Sequence, residues 1–156
     1  MLTSTEMVYL LVSGLVQATI LTIFAFVFRR YTRIILAFVL LVAAGAYVFF
    51  VTRAGESPFW LLVEVAGVGI YGALAILGIR RSAWWLAAGW ALHPVWDIPL
   101  HYFGPGHTFA PAPYAIACLS FDLLVAGVIA GGILLGWRQV VNQPVAPVPL
   151  PTLSTK

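Results

Sequence analysis

Five long apolar stretches, separated by short polar breaks, make up most of the sequence. Each stretch approaches the roughly 20 residues that an α-helix needs to cross the hydrocarbon core of a bilayer. The first three breaks contain arginine, whereas the fourth is rich in glycine and proline. We therefore predict an all-α bundle of five transmembrane helices in one domain, residues 1–138. The approximate spans are residues 7–28, 34–52, 58–79, 83–103 and 113–137.

The composition supports this class of protein. Hydrophobic residues make up 62% of the chain, charged residues only 8%, and the mean hydropathy is +1.02. A soluble domain carries roughly 25% charged residues, so a soluble fold is excluded. The net charge of +3 does not indicate nucleic-acid binding, because the basic residues lie at the ends of the spans. We expect a multi-pass protein of the cell membrane, the inner membrane if the source is bacterial, in contact with the lipid bilayer.

The basic residues also predict an orientation. If the breaks alternate between the two sides of the membrane, seven basic residues fall on one side and one on the other. Positive residues concentrate on the cytoplasmic side. The N-terminus is therefore predicted outside and the C-terminus inside. The seven are Arg29, Arg30, Arg33, Arg80, Arg81, Arg138 and Lys156, and the single outer one is Arg53.

The C-terminal segment, residues 139–156, is rich in proline. Alternating prolines remove the backbone donors that a helix needs. We predict a disordered cytoplasmic tail.

Small residues recur at helical spacing in the last span, as Gly127-x3-Gly131 and Gly132-x3-Gly136. Such pairs allow close helix packing in membranes. The packing could occur within one chain or between copies in a homo-oligomer or with a partner in a membrane complex, and the sequence leaves these alternatives open.

Three acids lie inside the predicted spans, and each costs about 2.5–3.5 kcal/mol at a helix centre if it faces lipid. At 1.5 Å per residue, Glu64 and Asp97 lie ~9 Å below the outer boundary, Asp122 ~13 Å and His93 ~15 Å. His101 lies near the outer surface. Because these groups share one half of the membrane, we expect them to line one cavity that opens outward between spans three, four and five.

Span four places His93, Asp97 and His101 on one helix face, at positions i, i+4 and i+8. The two histidines are ~12 Å apart along a straight helix and cannot bind one ion together, but either can pair with Asp97. Pro94 and Pro99 each remove a backbone hydrogen bond, so a bend is expected in this span.

A stretch of about residues 90–130 resembles the C-terminal half of a family of small polytopic membrane proteins, domain of unknown function 6010. The resemblance implies the architecture of the chain rather than an activity. Leu100 replaces one of two histidines usual in the family, and Leu123 stands where a proline is usual. The matching residues are His93, Trp96, Asp97, His101, Cys118 and Asp122.

The sharpest functional hypothesis is a metal site. His93, Asp97, His101 and Asp122 are candidate ligands, and imidazole with carboxylate suits a divalent transition metal such as Zn²⁺ or Fe²⁺. Glu64 or Asp122 would then act as the catalytic base. Such a site would support hydrolysis of a lipid-like or small apolar substrate reached from the outer leaflet.

Two other hypotheses remain open. A metal-free polar cavity could bind a small ligand or relay protons, with Glu64 and Asp122 sharing a proton. Alternatively, the chain is an accessory subunit of a membrane complex in which the polar groups only hold helices together.

Overall fold

The computed structural model describes residues 2–137 and residue 140. In these residues it contains α-helices and short helical turns but no strand, which confirms the all-helical class. The predicted tail, apart from residue 140, and Arg138 lie outside the described residues. The sidedness of the termini stays a prediction. The five helices are α1 (Ser4–Val27), α2 (Thr32–Ala54), α3 (Pro58–Arg80), α4 (Ala83–Asp97) and α5 (Ala112–Leu134).

Local signals determine where the helices begin and end. Thr3 caps α1, since its hydroxyl accepts from the Glu6 amide at 3.3 Å and the Glu6 carboxylate accepts from the Thr3 amide at 2.7 Å. This capping box starts the helix before the apolar run. Gly55, with φ of 67°, ends α2 in the left-handed conformation that glycine adopts without strain. Pro58 occupies the first turn of α3, where a missing amide hydrogen costs nothing.

Four helices of the described chain are long and apolar enough to cross a membrane: α1, α2 with the turn before it, α3 and α5. The fourth predicted span, residues 83–103, is not one continuous α-helix. After the 15 residues of α4 the chain continues as a π-helical turn, Ile98–Tyr102. Pro99 has no amide hydrogen to donate to the Val95 carbonyl. The Phe103 amide donates to the Ile98 carbonyl, five residues back, at 3.0 Å, which is the π-helical spacing.

The helices pack in the order α1, α5, α4, α3, α2, and contact between α1 and α2 is sparse. The shared core is apolar, with Leu40, Leu86, Trp90 and Val125 fully buried. Many large apolar side chains point outward, as expected for lipid-facing surfaces. We call the end that carries the connections 55–57 and 98–111 the loop end, and the opposite end the arginine-rich end.

The α1–α5 contact depends on Gly14. A Cβ atom at this position would collide with the Ala117 carbonyl oxygen and the Ser120 hydroxyl. The Ser120 hydroxyl also donates to the Leu11 carbonyl of α1 at 2.7 Å. In contrast, a Cβ atom at Gly127 would meet nothing within 4 Å in the described chain. Packing between chains through Gly127 therefore stays a prediction.

We expect Gly14→Val to destabilise the protein by about 1–3 kcal/mol, because the added side chain forces α1 away from α5. Gly127→Val is the matched control, and it should have little effect on the monomer since space is open there. The measurement is the free energy of unfolding in detergent micelles. Equal losses for the two variants would show that the effect does not come from the α1–α5 contact.

Candidate metal centre

Three side chains from two helices meet in the core of the bundle. His93 and Asp97 lie one turn apart on α4, and Asp122 reaches them from α5. The His93 Nδ1 atom lies 2.9 Å from Asp122 Oδ2 and 3.3 Å from Asp97 Oδ2. One ligand atom from each residue lies within 4.8 Å of the other two, and all three side chains are fully buried. We call this group the triad.

Several polar atoms of the triad have no hydrogen-bond partner within the described residues. Nδ1 of His93 carries at most one hydrogen, and the shorter contact assigns it to Asp122. Both oxygens of Asp97, the second oxygen of Asp122 and Nε2 of His93 have no hydrogen-bond partner in the described chain. Buried polar atoms are rarely left without a partner, and two adjacent buried carboxylates need positive charge nearby. A cation bound among them would supply that charge, and a proton shared between the carboxylates would lower the need for it.

The donor set fits a transition-metal ion. One imidazole and two carboxylates suit Zn²⁺ or Fe²⁺. With ligand bonds of about 2.0–2.1 Å, donors of a tetrahedral Zn²⁺ site lie roughly 3.3 Å from each other. The two spacings to His93, 2.9 and 3.3 Å, are close to this value. The third spacing, between the ligand oxygens of Asp97 and Asp122, is at most 4.8 Å.

Glu64 and His101 form a second buried pair beside the triad. The Glu64 Oε1 atom lies 3.0 Å from His101 Nε2, and the Trp96 indole donates to Glu64 Oε2 over a longer distance of 3.5 Å. Glu64 and His93 also line the same narrow gap. His101 thus contacts Glu64 and lies outside the triad, as expected from the distance between two histidines that are two turns apart.

Tyr47 of α2 lies between the triad and the Glu64–His101 pair, and the sequence did not predict its place in the site. Its ring stacks on His101 with centroids 3.8 Å apart, and its buried hydroxyl lies near Asp97. Tyr71 of α3 packs its ring against His93 at 4.8 Å and donates to the Leu92 carbonyl at 3.1 Å. The site therefore draws on α2 as well as on the three helices predicted to form it.

The prediction that the site opens outward is wrong for this conformation, because its five polar side chains are at most 1% exposed. They are Glu64, His93, Asp97, His101 and Asp122. The gap lined by Tyr47, Glu64 and His93 has no room for a water molecule. The connection after α4 closes the site from the loop end. Gly106 lies so near His101 that a Cβ atom there would approach the ring to 2.6 Å, and Phe109 packs on the same ring.

These features define an all-helical protein that has four helices long and apolar enough to cross a membrane and a buried histidine–aspartate group in its core. Residues 7–133 match a family of unknown function (DUF6010), and the protein belongs to this family. The resemblance predicted from about residues 90–130 is thereby confirmed, and it extends over most of the 156-residue chain. No curated protein matches the chain. No solved structure matches it either.

Proposed function

We propose that the protein binds one divalent transition-metal ion, Zn²⁺ or Fe²⁺, through His93, Asp97 and Asp122. The observation that carries this proposal is the convergence of three fully buried ligand groups within 4.8 Å, with most of their polar atoms unpartnered in the described chain. His93 and Asp97 on α4 and Asp122 on α5 lie on the buried faces of their helices, so packing in the core holds the three ligands in place.

We further propose that the centre is used for hydrolysis of a lipid-like or small apolar substrate. Three protein ligands would leave one position of a tetrahedral shell for water, which is the arrangement of hydrolytic zinc sites. Because the gap beside His93 has no room for water, the site has to open before water and substrate enter. A metal in such a site lowers the pKa of water and polarises a carbonyl group. Structural zinc sites, in contrast, usually have four protein ligands.

The neighbouring residues have roles that fit this chemistry. Glu64 lines the same gap as His93 and is bonded to His101, so this pair is suited to accept and return a proton. Asp122 is the third ligand, and its second carboxylate oxygen, which has no hydrogen-bond partner in the described chain, is suited to accept a proton as a second base. With the orientation that the arginines predict, the loop end faces outward and the substrate is reached from the outer leaflet.

The proposal is tested with the purified chain and a fluorogenic long-chain ester without charge. We expect hydrolysis that a chelator abolishes and Zn²⁺ restores. Glu64→Gln should reduce kcat by about 10²–10⁴, the usual contribution of a general base. Glu56→Gln is the control, because Glu56 is half-buried outside the site and its side chain hydrogen-bonds only Thr108 in the described chain. Equal rates for metal-loaded wild type and Glu64→Gln would contradict the assigned role, and no metal-dependent rate would contradict the hydrolase proposal.

A second candidate function is metal-free proton binding. The observation that favours it is the stacking of Tyr47 on His101, with the Tyr47 hydroxyl near Asp97, which links two buried acid–histidine pairs. Such a chain of polar groups could relay protons. In that case Zn²⁺ would bind weakly, and its addition would leave the stability of the protein unchanged.

A further inference from the structure

A cavity of about 280 Å³ opens between α1, α2 and α5. It lies where α1 and α2 make few contacts with each other, so its mouth is a gap between two helices that are long enough to cross a membrane. Val42, which lines the mouth, is 54% exposed. A molecule that enters this cavity therefore comes from the lipid phase.

The walls of the cavity are suited to an uncharged ligand. None of its nine lining residues, all within the described chain, carries a charge. Polar groups come from Gln17, Tyr114 and Cys118, of which Gln17 bonds Ser13 of its own helix and Tyr114 donates to the Ala43 carbonyl at 3.1 Å. A charged headgroup would find no countercharge there and would be costly to bury.

The inner wall of the cavity borders the triad. Cys118 lines the cavity and lies one helical turn before Asp122 on the same face of α5. Tyr114 also lines the cavity, and its ring packs edge-on against Tyr47 with centroids 5.5 Å apart. Tyr47 in turn lies near Asp97. The cavity thus adjoins the proposed metal centre through Cys118 on α5 and through the pair Tyr114 and Tyr47.

We propose that this cavity binds the chain of a neutral, single-chain amphiphile and holds its uncharged polar group against Tyr114 and Cys118. The volume lies just below the roughly 300–1,000 Å³ of small-molecule sites, which suits one hydrocarbon chain and not two. This inference rests on the proposed function, because it names the substrate class of the same site and the side from which the substrate arrives.

The experiment uses the purified chain in lipid nanodiscs and a monoacylglycerol with a photoactivatable diazirine in its acyl chain. We expect mass spectrometry to find the label on cavity-lining residues of α1, α2 and α5. Val42→Trp places a bulky ring at the mouth and should reduce this labelling at least about tenfold, equivalent to one decade in affinity. Val39→Trp, deeper in the same cavity, is the second variant.

The matched control is Val128→Trp. Val128 lines another cavity, of about 430 Å³, between α1 and α5 toward the arginine-rich end. This variant should leave labelling of the first cavity unchanged. Labelling spread evenly over all lipid-facing helices, or reduced equally by Val42→Trp and Val128→Trp, would overturn the inference.

Metal binding is measured on the same samples to separate the two proposals. Labelling of the cavity in a protein that binds no Zn²⁺ would support the ligand site and contradict the proposed metal centre. Zn²⁺ binding without localised labelling would support the proposed metal centre and contradict the ligand site. A charged fatty acid should compete with the probe less well than an unlabelled monoacylglycerol, and equal competition would contradict the choice of a neutral ligand.

Discussion

His93→Ala should weaken Zn²⁺ binding by more than about 100-fold, since loss of a residue that merely supports a ligand already costs 10–100-fold in metal affinity. His93 is the only imidazole of the triad, and it contacts both aspartates. The measurement is a competition titration of the purified protein against a chromophoric chelator. His107→Ala is the matched control, because His107 is exposed and bonds only the Gly104 carbonyl in the described chain.

Asp97→Asn extends this test with almost no change in side-chain shape. It removes a negative charge and halves the acceptor capacity of the group, so Zn²⁺ affinity should again fall strongly. It also guards against the possibility that His93→Ala disrupts the packing of α4. Zn²⁺ binding that is unchanged in both variants, with unchanged binding in His107→Ala, would contradict the ligand assignment.

The second large effect concerns stability. In the metal-free wild type, Asp97 and Asp122 are buried close together with one imidazole between them. A ligand that binds only the folded state at about 1,000 times its Kd stabilises that state by about 4.1 kcal/mol. Addition of Zn²⁺ should therefore raise the Tm of the wild type, and chelation should reverse the rise.

In the same experiment on Asp97→Asn, the presence of Zn²⁺ should determine which of the two proteins, variant or wild type, is the more stable. Without metal, this variant should match or exceed the stability of the wild type, because one buried charge has been removed. With Zn²⁺, it should be the less stable protein. If the polar groups only hold helices together, Zn²⁺ would shift neither Tm and Asp97→Asn would be destabilised under both conditions.

The helices could be predicted closely because apolar runs of membrane length leave few alternatives. The meeting of His93, Asp97 and Asp122 could also be anticipated. The helical spacing places the first two on one face, and the depth argument brings Asp122 to nearly the same level as Asp97. Burial of charge in lipid is so costly that groups at equal depth on neighbouring helices are expected to face each other.

Other features could not be read from the sequence. Tyr47 is one aromatic residue in an apolar helix, and hydropathy does not distinguish a site residue from a lipid-facing one. The closed state of the site depends on how the connection after α4 folds back, with Gly106 against His101. The π-helical turn Ile98–Tyr102 follows from the effect of Pro99 on backbone hydrogen bonds, which the sequence predicted only as a bend.

Elemental analysis of the purified chain shows whether the triad binds a metal ion. Wild type and Asp97→Asn would be incubated with Zn²⁺ and separated from free metal by gel filtration. We expect one Zn²⁺ ion per wild-type chain and a strongly reduced content in Asp97→Asn. Wild-type protein that retains no stoichiometric metal, or an Asp97→Asn variant that retains as much as the wild type, would contradict the proposed metal centre.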